Sequence, residues 1–465
     1  MTSNNSRNRY QKVKQNGEAT HEEEQKEYEE FAIRESPLTT LLDSSIHIRT
    51  IYHIFVVILL VLICDTVIFD LVENGKINIG LSVVATGFGD MRRVFKLWVY
   101  EFIVSMSLYP LLLAYSWIGA ISRKYPALRP TVVMLGVIGV IALEVAVAAV
   151  PLFDMGRKQL PVGSTAIVTG EMLRFMMKLV AIASACGPRC LNGTPLPTFK
   201  LHIYFMFAPT LIYRDQYPRT KKIRWGVVVF HLLEVAAVIF YISFLWEIVI
   251  VPNWADYGKE KTVAISTVVR SMFASVLPGT ISVLCGFYCV LHSWLNAWSE
   301  MLKFGDRLFY EDWWTASCFS QYFRRWNLVV HSWLRDHIYL PLATYAGRSL
   351  ATFSVFFVSA IAHEVFMTLM CGFFYPVLLV QFGVLGVILV PLTEKAGRRY
   401  PNAFNLLLWF GFSIGNGILW SLYPMEYFAR RNCPPSENDS FFIPKSWTCP
   451  EVVLKPNWTF QNPLF

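Results

Sequence analysis

Long apolar runs constrain the fold of this chain more than any other feature of its sequence. A helix needs about 20 predominantly apolar residues to cross a bilayer, and about nine runs here reach that length. The composition agrees, because 54% of the 465 residues are hydrophobic and 16% are charged, against roughly 45–50% and about 25% in soluble domains. The expected spans are 51–72, 96–119, 130–152, 165–187, 225–250, 275–298, 350–371, 372–393 and 402–424. We predict an all-α integral membrane protein with about nine transmembrane helices.

The charge pattern indicates how these spans are oriented. The net charge is +8, and the basic residues lie mainly in the loops after the second, fourth, sixth and eighth spans. The positive-inside rule places such loops, and with them the N-terminus, in the cytosol. An odd number of spans then places the C-terminus in the lumen. Because the positive charge follows membrane topology, we reject nucleic-acid binding and expect contacts with membrane lipids and phosphates instead. The first fifty residues lack an apolar core, so we expect no cleavable signal peptide.

The chain divides into a polar N-terminal segment and a membrane domain. Residues 1–45 are predicted to be cytosolic and solvated, and the acidic run at 21–30 also suits a self-association segment. Residues 46–465 form the membrane-embedded domain. Within that domain, the loops 188–224 and 299–349 are rich in aromatic residues and arginine. This composition predicts re-entrant or amphipathic cytosolic segments rather than flexible linkers.

The polar tail at 425–465 carries two signals of a lumenal environment. Cys433 and Cys449 lie there among prolines, and an oxidising lumen favours a loop disulfide between them. Glycosylation sequons begin at Asn438 and Asn457 in the same tail, which also favours the lumenal side. The charge pattern and the cysteine pair therefore predict the same topology.

An ionisable pair, His363 and Glu364, interrupts the otherwise apolar seventh span. Ionisable groups are costly inside a bilayer and usually mark a pathway or a reaction centre. A neutral histidine in an apolar site is a competent general base near pH 7, and Ser359, one turn earlier, shares its face. Glu364 points about 100° away and need not contact the histidine. The alternative is a structural histidine that is hydrogen-bonded to a neighbouring helix.

A second cluster begins with the run FYEDWW (309–314) and continues to His331. Arg324 and Arg325 suit the phosphates of a nucleotide-bearing donor, and Asn327 suits a developing oxyanion. His331 lies one turn after Asn327, on the same face. The same residues also fit an interfacial aromatic belt with snorkelling arginines.

Other motifs assign no further chemistry. The loop around Tyr213, Arg214 and Asp215 is bracketed by Pro209 and Pro218, which predicts a shaped loop of no assigned function. The sequence has no P-loop, no GxSxG and no zinc-ligand spacing, so we predict neither a metal site nor a bound cofactor. No internal repeat is evident, which disfavours a transporter.

Several motifs in register resemble one family. FYEDWW (309–314) closely resembles the FYxDWW signature of sterol O-acyltransferases, within the membrane-bound O-acyltransferase superfamily. From about residue 35 to the C-terminus, further stretches are similar in the family's order: HIRTIYH (47–53), FAPTLIYRDQYPRT (207–220), HSWLNAWSEMLKFGDR (292–307), RWN (325–327) and VSAIAHE (358–364). Several motifs in register are far more specific than any one alone.

The resemblance implies a nine-helix fold in the endoplasmic reticulum membrane that transfers a fatty acyl group from acyl-CoA to a sterol hydroxyl. It implies that His363 is the catalytic base and that Asn327 is its partner. Trp326, Arg324 and His331 are implied to lie near the acyl-CoA. The resemblance also implies a homodimer or homotetramer, and acyl-CoA as a co-substrate rather than a cofactor.

Further residues are candidates for contacts with the substrates or belong to the signature. The substrate-contacting set also includes Tyr322, Ser359, Arg348 and Trp313. The signature residues are Phe309, Tyr310, Asp312 and Trp314. Thr315 and Gln321 stand where the family commonly carries asparagine.

Two other functions remain open from the sequence. One is a diacylglycerol or other lipid-alcohol acyltransferase of the same superfamily. The diacylglycerol enzymes tend to carry glutamate where Asp312 sits, so Asp312 and the Tyr213-Arg214-Asp215 loop favour the sterol branch. A transporter or lipid-binding protein would use His363 and Glu364 as a proton relay. Dependence on acyl-CoA separates these functions, because a transporter is indifferent to it.

Overall fold

The chain is mainly helical over the residues that its structure, a computed structural model, describes. These residues are 31–75, 81–436 and 439–453. The acidic run at 21–30 and both sequon asparagines lie outside them. The helices are α1 (Pro37–Ser44), α2 (Ile46–Asn74), α3 (Leu81–Gly87), α4 (Met91–Met106), α5 (Leu108–Lys124), α6 (Arg129–Arg157), α7 (Val162–Asn192), α8 (Phe199–Phe207), α9 (Trp225–Leu245), α10 (Val251–Trp254), α11 (Ile265–Ala274), α12 (Val276–Phe287), α13 (Leu295–Met301), α14 (Phe319–Trp326), α15 (Leu328–Leu334), α16 (Leu340–Ala346), α17 (Arg348–Cys371), α18 (Val377–Val380), α19 (Val387–Arg399) and α20 (Pro401–Asn432).

Short irregular turns join several of these helices into longer rods. π-Helical turns follow α9, α12, α15 and α18, at Trp246–Ile250, Tyr288–Trp294, Arg335–Tyr339 and Gln381–Gly386. Short 3₁₀ turns occupy Pro126–Leu128, Trp313–Thr315 and Lys445–Trp447. The strands β1 (Thr262–Ala264) and β2 (Glu451–Val453) pair in parallel.

Eight helical rods among the described residues are long and apolar enough to cross a membrane. They are Ile46–Glu73, Val84–Lys124, Pro126–Arg157, Trp225–Trp254, Ile265–Met301, Arg348–Cys371, Val377–Arg399 and Pro401–Asn432. Eight of the nine expected spans overlap these rods, so the all-α integral membrane fold is confirmed. The count of nine stays a prediction.

The ninth expected span, 165–187, lies in the helix α7, whose middle carries three charged residues. Arg174 pairs with Glu171 at 2.7 Å and donates to the carbonyl oxygen of Met206 at 2.6 Å. Lys178 is 1% exposed and donates to the carbonyl oxygen of Ala208 at 2.7 Å. Both cations thus bind carbonyls at the C-terminal end of α8, where the helix dipole favours positive charge. This charge explains why α7 is less apolar than the other rods.

α7 is also the centre of the packed core. It packs against α4, α5, α6 and α17, and its buried residues include Phe175, Leu179 and Ile182. The helix ends at Gly193, whose φ of 80° is a left-handed conformation that glycine adopts without strain. A helix that packs against so many others fixes their relative positions, so α7 sets the position of α17, which carries His363.

Residues 31–36, here called the N-terminal strap, pack on the loop that follows α13. Arg34 makes two hydrogen bonds of 2.9 Å to the carboxylate of Asp306. Glu35 pairs with Arg224 and Arg307, each at 3.0 Å. These ion pairs join the polar N-terminal segment to the membrane domain.

A buried carboxylate completes this charge cluster. Glu300, which is fully buried, binds both Arg224, at 2.8 Å, and Arg307. A buried charge is tolerated only when it is paired and hydrogen-bonded. The strap therefore ends in a network of two acids and two arginines.

The C-terminal segment folds back against the end of α20. Cys433 and Cys449 form a disulfide. The buried carboxylate of Glu426 accepts hydrogen bonds from the backbone N–H groups of Lys445 and Ser446, each at 2.8 Å. α20 continues to Asn432, so the non-helical part of the predicted tail begins at residue 433 rather than 425.

A buried histidine in α8 predicts acid sensitivity. His202 is fully buried, neither ring nitrogen has a hydrogen-bond partner among the described residues, and burial lowers its pKa to about 4. The folded protein therefore binds fewer protons than the unfolded chain between about pH 6.5 and 4, and stability falls as pH falls through that window. We expect a loss of about 2 kcal/mol by pH 5.

Thermal unfolding of the detergent-solubilised protein at pH 7, 6 and 5 measures this effect. His202→Leu, which cannot be protonated, should make Tm depend less steeply on pH, with His331 contributing part of the remaining slope. His47→Leu replaces an exposed histidine and should keep the wild-type slope. An unchanged slope in His202→Leu would contradict the prediction.

Candidate active site

His363 lies in α17 with its imidazole held by the preceding turn. Its Nδ1–H donates to the carbonyl oxygen of Ser359 at 2.7 Å, and the Ser359 hydroxyl lies 3.5 Å from the same nitrogen. A proton fixed on Nδ1 leaves the lone pair on Nε2, which is the atom a general base uses. The ring packs on Phe382 with centroids 4.9 Å apart. Ser359 therefore supports the tautomer that abstracts a proton.

Glu364 faces a different set of helices. It is 3% exposed. One carboxylate oxygen accepts from the backbone N–H of Leu379, and the other accepts from the hydroxyl of Tyr423, both at 3.0 Å. These bonds tie α17 to α18 and α20. The carboxylate thus has an anchoring role and makes no hydrogen bond to His363.

Asn327 caps the helix α15. Its Oδ1 accepts a hydrogen bond from the backbone N–H of Val330 at 3.1 Å, an arrangement that N-cap residues favour. Because Oδ1 is occupied, the amide orientation is fixed and Nδ2 remains the available donor. Within the described part of the chain, no acceptor bonds this Nδ2.

The FYEDWW segment (309–314) positions Asn327 through the backbone. The N–H of Glu311 donates to the carbonyl oxygen of Arg325 at 2.9 Å, and the N–H of Leu328 donates to that of Phe309 at 2.8 Å. These bonds lie on either side of Asn327 in the sequence. The cap residue is therefore held by a segment that begins 18 positions upstream.

Aromatic rings surround this position and extend toward His363. Trp326 packs on Trp313, with centroids 4.6 Å apart, and on Tyr322 at 5.5 Å. Tyr322 contacts Phe323 at 5.3 Å, and Phe323 contacts Phe382, the ring beside His363, at 6.2 Å. A continuous aromatic path thus joins the histidine to Trp326. The two predicted catalytic side chains make no direct hydrogen bond within the described residues.

The segments that build this site also match a known family. A profile of the membrane-bound O-acyltransferase family matches residues 171–424, which include His363, Asn327 and the FYEDWW segment. The chain belongs to this family. It is 34% identical to Sterol O-acyltransferase 1 of Mus musculus, over 90% of the chain and 79% of that protein. It is 35% identical to Sterol O-acyltransferase 2 of Homo sapiens, over 90% of the chain and 80% of that protein.

Arg324 and Arg325 of this membrane-bound O-acyltransferase differ in their surroundings. Arg325 lies 3.4 Å from a carboxylate oxygen of Glu311 and 3.4 Å from one of Asp312. Arg324 is exposed and donates to the carbonyl oxygen of Ser320 at 3.2 Å. Arg348 is also exposed, at the first turn of α17. Arg324 and Arg348 are therefore more accessible to phosphates than Arg325 is.

His331 lies in α15, one turn after Asn327. Burial lowers its pKa to about 4, and the nearby positive charges of Arg335 and Arg324 contribute to the same shift. The imidazole is therefore neutral at pH 7. A neutral ring beside an accessible arginine can hydrogen-bond a substrate without repelling that cation.

The two departures from the family signature each close a local turn. The Thr315 hydroxyl is within hydrogen-bonding distance of Asp312, 2.7 Å from its carbonyl oxygen and 3.0 Å from its carboxylate. The Gln321 side-chain oxygen accepts from the backbone N–H of Ser317 at 3.1 Å. Thr315 therefore bonds the signature segment itself, and Gln321 bonds the turn that follows it.

One polar cluster was missed by the sequence reasoning. The ligand atoms of His231, Glu234 and His292 all lie within 4.8 Å of one another. His231 and Glu234 are three residues apart in the rod Trp225–Trp254, the kind of ionisable pair in an apolar span that singled out His363. That signal was present in the sequence, whereas the approach of His292 depends on helix packing.

Proposed function

We propose that this membrane-bound O-acyltransferase transfers an acyl group from acyl-CoA to the hydroxyl of a sterol. The observation that carries the proposal is the His363 imidazole, whose Nδ1 is bound to the Ser359 carbonyl and whose Nε2 is left as a base. The printed names of the similar proteins, both sterol O-acyltransferases, support the sterol as acceptor.

The proposed reaction is a direct transfer. His363 Nε2 takes the proton of the sterol hydroxyl while the oxygen attacks the thioester carbonyl carbon. The carbonyl oxygen gains negative charge, and Nδ2 of Asn327 donates a hydrogen bond to it. The C–S bond then breaks, the ester is released, and the CoA thiolate takes the proton from His363. No side-chain nucleophile is needed, so no acyl-enzyme forms.

The basic residues have a separate proposed role. Arg324 and Arg348 bind the phosphates of acyl-CoA by charge-assisted hydrogen bonds. Trp326, Trp313 and Tyr322 line the acyl chain and thioester, and neutral His331 contributes a hydrogen bond. These aromatic side chains also exclude water and so protect the thioester from hydrolysis.

We further propose the cellular setting. The protein lies in the endoplasmic reticulum membrane with the N-terminus cytosolic and the C-terminus lumenal, as a homodimer or homotetramer. The Cys433–Cys449 disulfide supports a lumenal C-terminus, because disulfides persist in oxidising compartments.

An acceptor competition assay tests the proposal. Membranes that contain the protein are incubated with labelled oleoyl-CoA and an equimolar mixture of cholesterol, diacylglycerol and a long-chain alcohol. We expect labelled sterol ester as the main product, and none in membranes without the protein. Triacylglycerol or wax ester as the main product would keep the transfer chemistry and overturn the acceptor. No product with any acceptor would overturn the enzyme assignment.

A further inference from the structure

Glu234 is the centre of a hydrogen-bond network that joins three helical rods. One carboxylate oxygen contacts the hydroxyls of Tyr52, at 3.4 Å, and Tyr288. The other lies 2.8 Å from His231 Nδ1 and accepts from the Ser293 hydroxyl at 2.9 Å. Four donors satisfy the carboxylate, so its position and charge are strongly fixed. The partners come from α2, α9 and the π-helical turn 288–294.

His292, next to Ser293 in that turn, carries the network to the signature segment. It is 2% exposed, and its Nδ1 lies 2.8 Å from the Tyr310 hydroxyl and 3.3 Å from that of Ser36. Asn296 donates to the backbone carbonyl of the same histidine at 2.8 Å. The His231 ring stands nearly perpendicular to the His292 ring, with centroids 5.5 Å apart. Hydrogen bonds to its backbone carbonyl and to Nδ1, together with the ring contact to His231, therefore fix the orientation of His292.

We propose that Glu234 and His292 are positioning residues for the acyl-transfer reaction, acting through Tyr310 on Asn327. Tyr310 lies between the two residues whose backbones bond the chain on either side of Asn327. Fixing the tyrosine hydroxyl thus fixes the segment that orients the amide donor. An oxyanion donor must be placed within a fraction of an ångström, so a small loss of order lowers the rate. The inference rests on the proposed role of Asn327.

A metal site is the other chemistry that two histidines and a carboxylate suggest. Here the His231 Nδ1 and Glu234 Oε2 atoms bond each other directly at 2.8 Å, and the carboxylate has four hydrogen-bond donors. The carboxylate and Nδ1 of each histidine thus have hydrogen-bond partners within the protein. The geometry therefore favours a hydrogen-bond network. The metal content of the purified protein is measured as part of the test below.

The test begins with Tyr310→Phe, which removes the hydroxyl and leaves the ring. We expect kcat to fall about tenfold, with the KM for acyl-CoA changed less than about twofold, because the bond orients a donor and does not bind substrate. His292→Leu should reproduce this loss. His292→Asn, whose amide reaches the position of Nδ1, should recover at least half of the lost rate.

A matched control separates positioning from general stability. Tyr257→Phe also removes a buried tyrosine hydroxyl, one that donates to the Ser446 carbonyl near the C-terminal disulfide. It should leave kcat unchanged. Melting temperatures of all variants in detergent exclude unfolding as the cause of a lost rate.

A double-mutant cycle with Asn327→Asp gives the decisive readout. If the tyrosine acts through Asn327, Tyr310→Phe should lower kcat less than about twofold in the Asn327→Asp background. An equal loss in both backgrounds, wild-type kcat in Tyr310→Phe, or no recovery in His292→Asn would each overturn the inference. Stoichiometric zinc or iron in the purified protein, lost in His231→Ala, would also overturn it in favour of a metal site.

Failure of the proposed function gives a different result. If Asn327→Asp alone keeps wild-type activity, the proposed oxyanion role of Asn327 is wrong. If Asn327→Asp is strongly impaired but Tyr310→Phe is not, only the positioning inference is wrong.

Discussion

His363→Ala is expected to abolish nearly all ester formation, lowering kcat by about 10³-fold, since a positioned general base contributes on the order of 10²–10⁴. The fold should survive, because among the residues that the structure describes His363 makes side-chain hydrogen bonds only to Ser359 in the same helix, and alanine is a strong helix former. Binding of acyl-CoA should persist. Initial rates of sterol ester formation, with acyl-CoA binding measured in parallel, test both expectations.

Glu364→Gln is the matched control for this variant. Glutamine keeps an acceptor for the N–H of Leu379 and can donate to the Tyr423 oxygen, so both anchoring contacts survive while the charge is removed. We expect activity within about threefold of wild type. A proton relay through both residues requires the carboxylate, so a loss as large as that of His363→Ala would show that Glu364 takes part in the proton transfer and is more than an anchor. Full activity in His363→Ala would refute the base assignment.

Asn327→Asp is expected to lower kcat by about 10²–10³-fold, the typical cost of removing one oxyanion donor. Aspartate keeps the oxygen that caps α15 through the N–H of Val330, but it replaces the donating amide by an acceptor. Stability should therefore change little. Steady-state kinetics and thermal unfolding on the same preparations measure the two effects separately.

Asn327→Ala separates the cap from the chemistry. It removes the amide and the cap together, so it should lose a similar factor in kcat and also about 1 kcal/mol of stability. If Asn327→Asp were fully active and only Asn327→Ala impaired, the residue would be a helix cap without a role in the reaction. A rate loss in both, with a lowered Tm only in the alanine variant, supports the donor role.

Hydropathy was sufficient to find most of the membrane domain. A bilayer imposes both a length and an apolar composition on each span, so eight rods could be found from local sequence alone. α7 was harder because Arg174 and Lys178 are satisfied by carbonyls of α8, and that contact is formed only in the folded protein. The local sequence shows that α7 carries these charged residues, but it does not show which groups bind them.

The sequence was sufficient to identify candidate residues of the site, but it did not show which residues they bond. His363 stood out because it is ionisable in an apolar run. The sequence did not show that the Glu364 carboxylate bonds Leu379 and Tyr423, since those partners are brought by other helices. It also treated the two arginines at 324 and 325 alike, although only Arg325 meets the acids of the signature segment. Such differences depend on long-range packing.

The N-terminal strap has a consequence for biosynthesis. Arg34 and its partner Asp306 are 272 residues apart. At about 5–20 residues per second, a ribosome needs on the order of tens of seconds to make that stretch. During this time the first helix is already available for insertion, while Arg34 and Glu35 await partners that have not been synthesised. The strap therefore docks late, only after the rod that ends at Met301 has emerged from the ribosome. An N-terminal deletion through residue 35 would remove Arg34, the ion-pair partner of Asp306, and would leave Arg307 with Glu300 alone.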